Sequence, residues 1–179
     1  MTKSYIVDPN TGKLLTAQEW KEIAGESVSS VKMVAIVPDD GSHAFAFPVE
    51  TFGGRHNWHE AMAIAEKYKA PHPVFGSSGV FTLPTRKQAI DIRAARESGL
   101  EQLLELIGAN DLLSELQTKC GWTCERYVPA GTSEDRWSSV LYSGSLAWSY
   151  NYYGMSNGVG LTYSGSWLVV RPVTLLKLV

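Results

Sequence analysis

The sequence predicts an α+β domain, short helices packed on a twisted antiparallel sheet, and three observations carry that reading. Capped segments of helical period fill the first two thirds, period-two patterning takes over from Glu125, and helices and strands do not alternate as a parallel sheet would require. A length of 179 residues, 44% of them hydrophobic, matches one globular domain. Such a chain buries about 70% of its unfolded surface, so it needs neither disulfides nor metal to hold a core.

Tyr5-Ile6-Val7 and Lys13-Leu14-Leu15 flank Asp8-Pro9-Asn10-Thr11-Gly12, whose Pro and Gly predict the turn of a small hairpin. Thr16-x-x-Glu19 is a capping-box pattern ahead of Trp20, Ile23 and Ala24, which predicts a short helix. Met33 to Val37 and His43 to Phe47 bracket Asp39-Asp40-Gly41-Ser42, a second hairpin signal. Asn57-x-x-Glu60 opens a helix with Trp58, Ala61, Met62 and Ala65 at i, i+3, i+4 and i+7, closing before Pro71. Pro73 to Gly79 reads as a loop leading to an extended Phe81 to Thr85. Thr85-x-x-Gln88 then caps a third helix through Ile92. Leu100 to Ile107, stopped by Gly108, and Leu112 to Leu116 read as two more helical pieces around a leucine cluster. Beyond Glu125, turn residues at Gly131, Gly144, Gly154 to Gly158 and Ser164-Gly165 divide a set of antiparallel strands.

The charges balance, with 16 Lys+Arg against 18 Asp+Glu, and no basic run exists to attract nucleic acid or anionic lipid. No stretch approaches the ~18 apolar residues of a membrane span. The start, MTKSYIVDPNTG, is too polar for a secretory signal, so folding in the cytoplasm is expected. Charge is also unevenly spread: the 34 residues between Arg136 and Arg171 contain no Asp, Glu, Lys, Arg or His. At an average usage of ~25% charged residues, chance produces such a run on the order of once in ten thousand. Ser, Gly, Asn and Tyr fill it, with five of the eight tyrosines. Tyrosine offers a large rigid surface with little rotamer entropy to lose, and Ser, Gly and Asn adapt their hydrogen bonds, the composition of recognition loops. In the strand Ala147 to Tyr153, period two sets Trp148, Tyr150 and Tyr152 toward the core and Ser149, Asn151 and Tyr153 on the opposite face. An ordinary strand-rich core with half-buried tyrosines shares that period. The missing charge argues against it, because a plain solvent-facing sheet carries some Lys or Glu.

Other candidate sites are weaker. His56-x-x-His59-Glu60 matches neither metalloprotease helix motif and has no evident third ligand, while His43 and His72 stand alone. Asp39-Asp40 and Glu134-Asp135 read as solvated loop charges rather than a calcium site. No metal and no cofactor are expected. Cys120 and Cys124, in a C-x3-C spacing, fit neither the zinc nor the thioredoxin-type pattern; reduced structural thiols are the simpler reading, with a disulfide or an oxidising pair as the alternatives.

FTLPTRKQAIDI, then RWSSVLYSGSLAW and finally WLVVRPV carry a wider resemblance. A Leu-Pro-Thr helix start, a Trp-Ser-Ser segment, an Ala-Trp strand and a closing Val-Arg-Pro-Val recur in that order in the C-type-lectin-like domains of bacteria and their phages, and the chain most resembles the variable proteins mutated by diversity-generating retroelements. The resemblance covers roughly Val34 to Val173. It implies a lectin-like domain over residues 31–179, with a variable region about 137–171, and leaves residues 1–30 as an N-terminal hairpin and helix serving as an appendage or oligomer contact. It implies further that Trp137, Trp148, Met155 and Trp167 are fixed framework, and that Tyr142, Ser143, Ser145, Ser149, Asn151, Tyr153, Asn157, Tyr163 and Ser166 are diversified ligand-binding positions. The Glu-Pro-Asn, Gln-Pro-Asp and Trp-Asn-Asp triplets that carry calcium and sugar in animal C-type lectins are absent.

The function implied is binding of a cell-surface protein or glycan receptor without catalysis, in a phage virion as a tail adhesin, with multivalent display and homo-oligomerisation adding strength. The enzymatic alternative is the related formylglycine-generating oxidase, whose cysteine pair has a spacing one residue longer than that of Cys120 and Cys124.

Overall fold

A computed structural model describes residues 1–24, 31–69, 80–127, 146–152, 157–161 and 168–176. It combines helices with two antiparallel sheets, an α+β architecture. The first sheet has five strands: β1 (Lys3–Val7), β2 (Leu14–Leu15), β3 (Met33–Val37), β4 (Phe45–Pro48) and β8 (Thr174–Leu175), in the order β2-β1-β3-β4-β8. The second has three, in the order β5-β6-β7: β5 (Cys120–Tyr127), β6 (Leu146–Asn151) and β7 (Asn157–Leu161).

The first hairpin forms because the Asp8 carboxylate gathers its own turn, accepting from the Asn10 N–H at 2.9 Å and from the Thr11 hydroxyl, while Gly12 takes φ 71°. Strand β1, within the segment read as an appendage, is the second strand of the sheet: it pairs with β3 from Lys3↔Val37 to Ile6↔Val34. Ile6 therefore lies in one row with Val34 and Phe47. That row packs on the helices, and the opposite row, Val7, Met33, Ala35 and Ala46, packs around Phe81. Because both faces of β3 are covered, its sequence MVAIV is continuously apolar rather than alternating.

Helix α1 (Ala17–Ala24) starts at the predicted box, Thr16 N–H donating to Glu19 at 2.7 Å and Glu19 N–H to the Thr16 hydroxyl at 3.2 Å. Reciprocal boxes also start α2 (Trp58–Lys67), at Asn57 and Glu60, and α3 (Arg86–Ala95), at Thr85 and Gln88. Helix α3 runs three residues past the expected Ile92, then passes through a π-type segment, Arg96–Leu100, directly into α4 (Glu101–Leu106). Gly99 permits that junction by taking φ 123°, and the Ser98 hydroxyl ties it to the Thr2 carbonyl at 2.7 Å. Helix α5 (Asn110–Thr118) follows and leads into β5. The described residues form five helices, and α3 contacts β3 of the first sheet and β5 and β6 of the second.

The C-terminal segment stitches the sheets together. Leu168 bridges His56, Val169 runs beside Gly121, Val173 bridges Thr82, and β8 closes the edge of the first sheet. Between them Arg171 is fully buried, donating to the carbonyls of Pro48 at 3.0 Å and Glu50 at 2.9 Å and pairing with Glu115.

A candidate ligand face on strand β6

Strand β6 sits between β5 and β7, with Gly121↔Tyr150, Trp122↔Ser149 and Cys120↔Asn151 on one side and Ser149↔Gly158 on the other. Its faces split as period two predicts. Tyr150 and Tyr152 are buried against each other, centroids 5.7 Å apart, in the cluster with α3, α4 and α5. Ser149 and Asn151 are half-buried on the reverse face. Tyr152 reaches its place because residue 121 is glycine: a Cβ there would stand 2.6 Å from the Tyr152 ring. Burial raises the Tyr152 hydroxyl well above the ordinary phenol range.

One expectation about this strand is corrected. Trp148 is half-buried rather than sealed, because at its end of the strand the indole is covered by a guanidinium and a tyrosine instead of the leucines of α4 and α5: Arg86 lies 3.8 Å over the ring and Tyr127 stands edge-on at 5.2 Å. Asn157 pairs with Tyr150 in the ladder. Ala147 is fully buried against Trp58 and Ala61 of α2, so among the described residues of its row only Ser149 and Asn151 are half-exposed, with Trp122 beside Ser149 on one flank and Gly158 on the other. Tyr142, Ser143, Ser145, Tyr153, Tyr163 and Ser166, and with them Trp137, Met155 and Trp167, lie outside the described residues.

Cys120 and Cys124 lie within β5, ahead of β6, β7 and β8. Four residues of extended chain separate their Cα atoms by on the order of 12 Å, beyond the ~7 Å that a disulfide tolerates. Both thiols are free, and burial pushes both above the ordinary thiol range, with Glu125 adding to the rise at Cys124. The arrangement holds them protonated and unreactive at neutral pH.

The histidines are structural ties. His56 Nε2 approaches the carbonyls of Gly53 at 2.8 Å and Phe52 at 3.3 Å, and its own carbonyl accepts from Trp122 Nε1 at 2.8 Å. His59 packs edge-on to Trp58, and burial, with the charge of Arg126, lowers its pKa. Among the described residues no three His, Cys, Asp or Glu side chains gather as a metal site. Asp39 pairs with the N-terminal ammonium, and Asp40 accepts from the Ser42 N–H at 3.0 Å and meets Lys87 at 3.0 Å.

What sequence reasoning missed is a pair of arginine–tryptophan stacks at the end of β5, Arg86 over Trp148 and Arg126 over Trp58 at 5.4 Å. The partners come from separate elements, so no local spacing could reveal them. No protein-family model matches the chain, and no curated protein proves similar to it. No helix among the described residues is long and apolar enough to cross a membrane.

Proposed function

We propose that this chain is a ligand- or receptor-binding protein of C-type-lectin-like fold, displaying a neutral Tyr/Ser/Asn-rich face for a cell-surface protein or glycan, in the manner of a phage tail adhesin. The observation that carries the reading is the division of β6: a polar, uncharged row at Ser149 and Asn151 backed by two tyrosines that anchor the strand from behind. That division lets one row vary while the other holds the fold, which is what a diversified binding surface requires. The 34-residue uncharged run around it supports the same reading. The oxidase alternative draws no support from two half-buried, separated thiols whose pKa values are raised.

Paired libraries test it. Randomising Ser149 and Asn151 should leave most members folded and soluble, whereas randomising Tyr150 and Tyr152 should leave few. Equal losses in the two libraries would overturn the assignment of the face. Independently, the flanking DNA should hold a reverse transcriptase gene and a near-copy of the codons for residues 137–171 that differs at adenines.

A further inference from the structure

Arg86 opens α3 on the opposite side of β6 from Ser149 and Asn151, and its side chain takes no part in the face proposed above. Its backbone N–H donates to the Glu125 carboxylate, which anchors the helix start to β5. The guanidinium itself has no hydrogen bond or ion pair among the described residues, and its Nε is buried without a partner. It lies flat on the Trp148 ring at 3.8 Å, with Tyr127 closing the other approach to the indole at an interplanar angle of 84°. A stacked guanidinium keeps one orientation and sheds water from one side, so little freedom remains to be lost when an acceptor arrives.

We infer that the Arg86–Trp148–Tyr127 cluster is a carboxylate-recognition point, taking an acidic side chain of a partner protein on the paired Nη donors of Arg86. A planar oxyanion suits two parallel N–H donors, and the Arg86 side chain meets no acceptor among the described residues, its Nε being buried without one. The residue types Trp, Tyr and Arg are those that concentrate binding energy at protein interfaces. A sugar acid fits less well, because the indole that would stack on a sugar ring is already covered by Arg86 and Tyr127.

The test is titration of the ¹⁵N-labelled full chain with an N-acetylated, C-amidated triglutamate peptide at constant ionic strength. The Arg86 Nε–H resonance, assigned by its loss in R86K, should shift saturably. R86K, which keeps the charge but loses the planar fork, should weaken binding about fivefold or more. E125Q removes a negative charge, of the ligand's own sign, at the start of α3 yet keeps an oxygen for the Arg86 N–H, and should tighten binding about twofold, a gain that misfolding cannot imitate. Equal shifts with sodium chloride, unchanged affinity in R86K, or no gain in E125Q would each overturn the site. Binding of glucuronic acid without binding of the peptide would overturn the assignment to a protein partner.

Discussion

At the scale of single residues, Gly121 and Tyr152 form a matched pair. The glycine is needed for what lies above it rather than for its backbone angles, since an added Cβ would meet Tyr152 Cε2 at 2.6 Å and Oη at 2.9 Å. Tyr152 is fully buried and has nowhere to retreat. Gly121→Ala should therefore destabilise the protein by about 1–3 kcal/mol in urea unfolding, the usual result of overpacking. The hydroxyl of Tyr152 tells the opposite story: it has no hydrogen-bond partner among the described residues. Tyr152→Phe should leave stability within about 0.5 kcal/mol, because no bond is lost and no partner is orphaned. A large loss in the second variant would mean that the hydroxyl has an acceptor after all.

At the scale of elements, the docking of α2 on β5 is where acid should act. Trp58 Nε1 donates to the Thr123 carbonyl at 2.8 Å, Arg126 lies over the Trp58 ring, and His59 is packed beside them. Burial first, and the Arg126 charge second, lower the pKa of His59 in the folded state. The unfolded chain then takes up that proton first as pH falls through about 6.5, the free histidine value. Stability contributed by neutral His59 is present above that pH and lost as pH falls below it. The midpoint of thermal unfolding should drop between pH 7.5 and 5.5, and His59→Gln should flatten the drop. An unchanged slope in that variant would move the acid sensitivity elsewhere.

For the whole molecule the decisive contact is Arg171, where the C-terminal segment crosses between the sheets. Its guanidinium ties its own segment to two distant parts of the chain: the end of β4, through the carbonyls of Pro48 and Glu50 and, at 6.0 Å, the ring of Phe47, and α5, through the Glu115 carboxylate. Removing one member of a buried ion pair leaves the other charged and unpaired. Arg171→Met should cost about 3–5 kcal/mol, and adding Glu115→Leu should restore part of that loss in a double-mutant cycle. Additive losses would show that Arg171 acts through the carbonyls rather than through Glu115.

What the sequence determined by itself was local. The boxes at Thr16, Asn57 and Thr85, the two early hairpins and the alternation from Ser149 to Tyr152 each rest on residues at most a few positions apart, and each is present in the structure. The candidate face was legible to the same extent, in the opposition of Ser149 and Asn151 to Tyr150 and Tyr152. Tertiary structure decided the rest. The pairing of β1 with β3, the burial of Ala147 beneath α2, the partial cover of Trp148 and the pairing of Arg171 with Glu115 all join residues far apart in the chain. No periodicity encodes such meetings. They arise because apolar rows must be covered and buried charges must find partners, and only the packed chain settles which element supplies each cover and each partner.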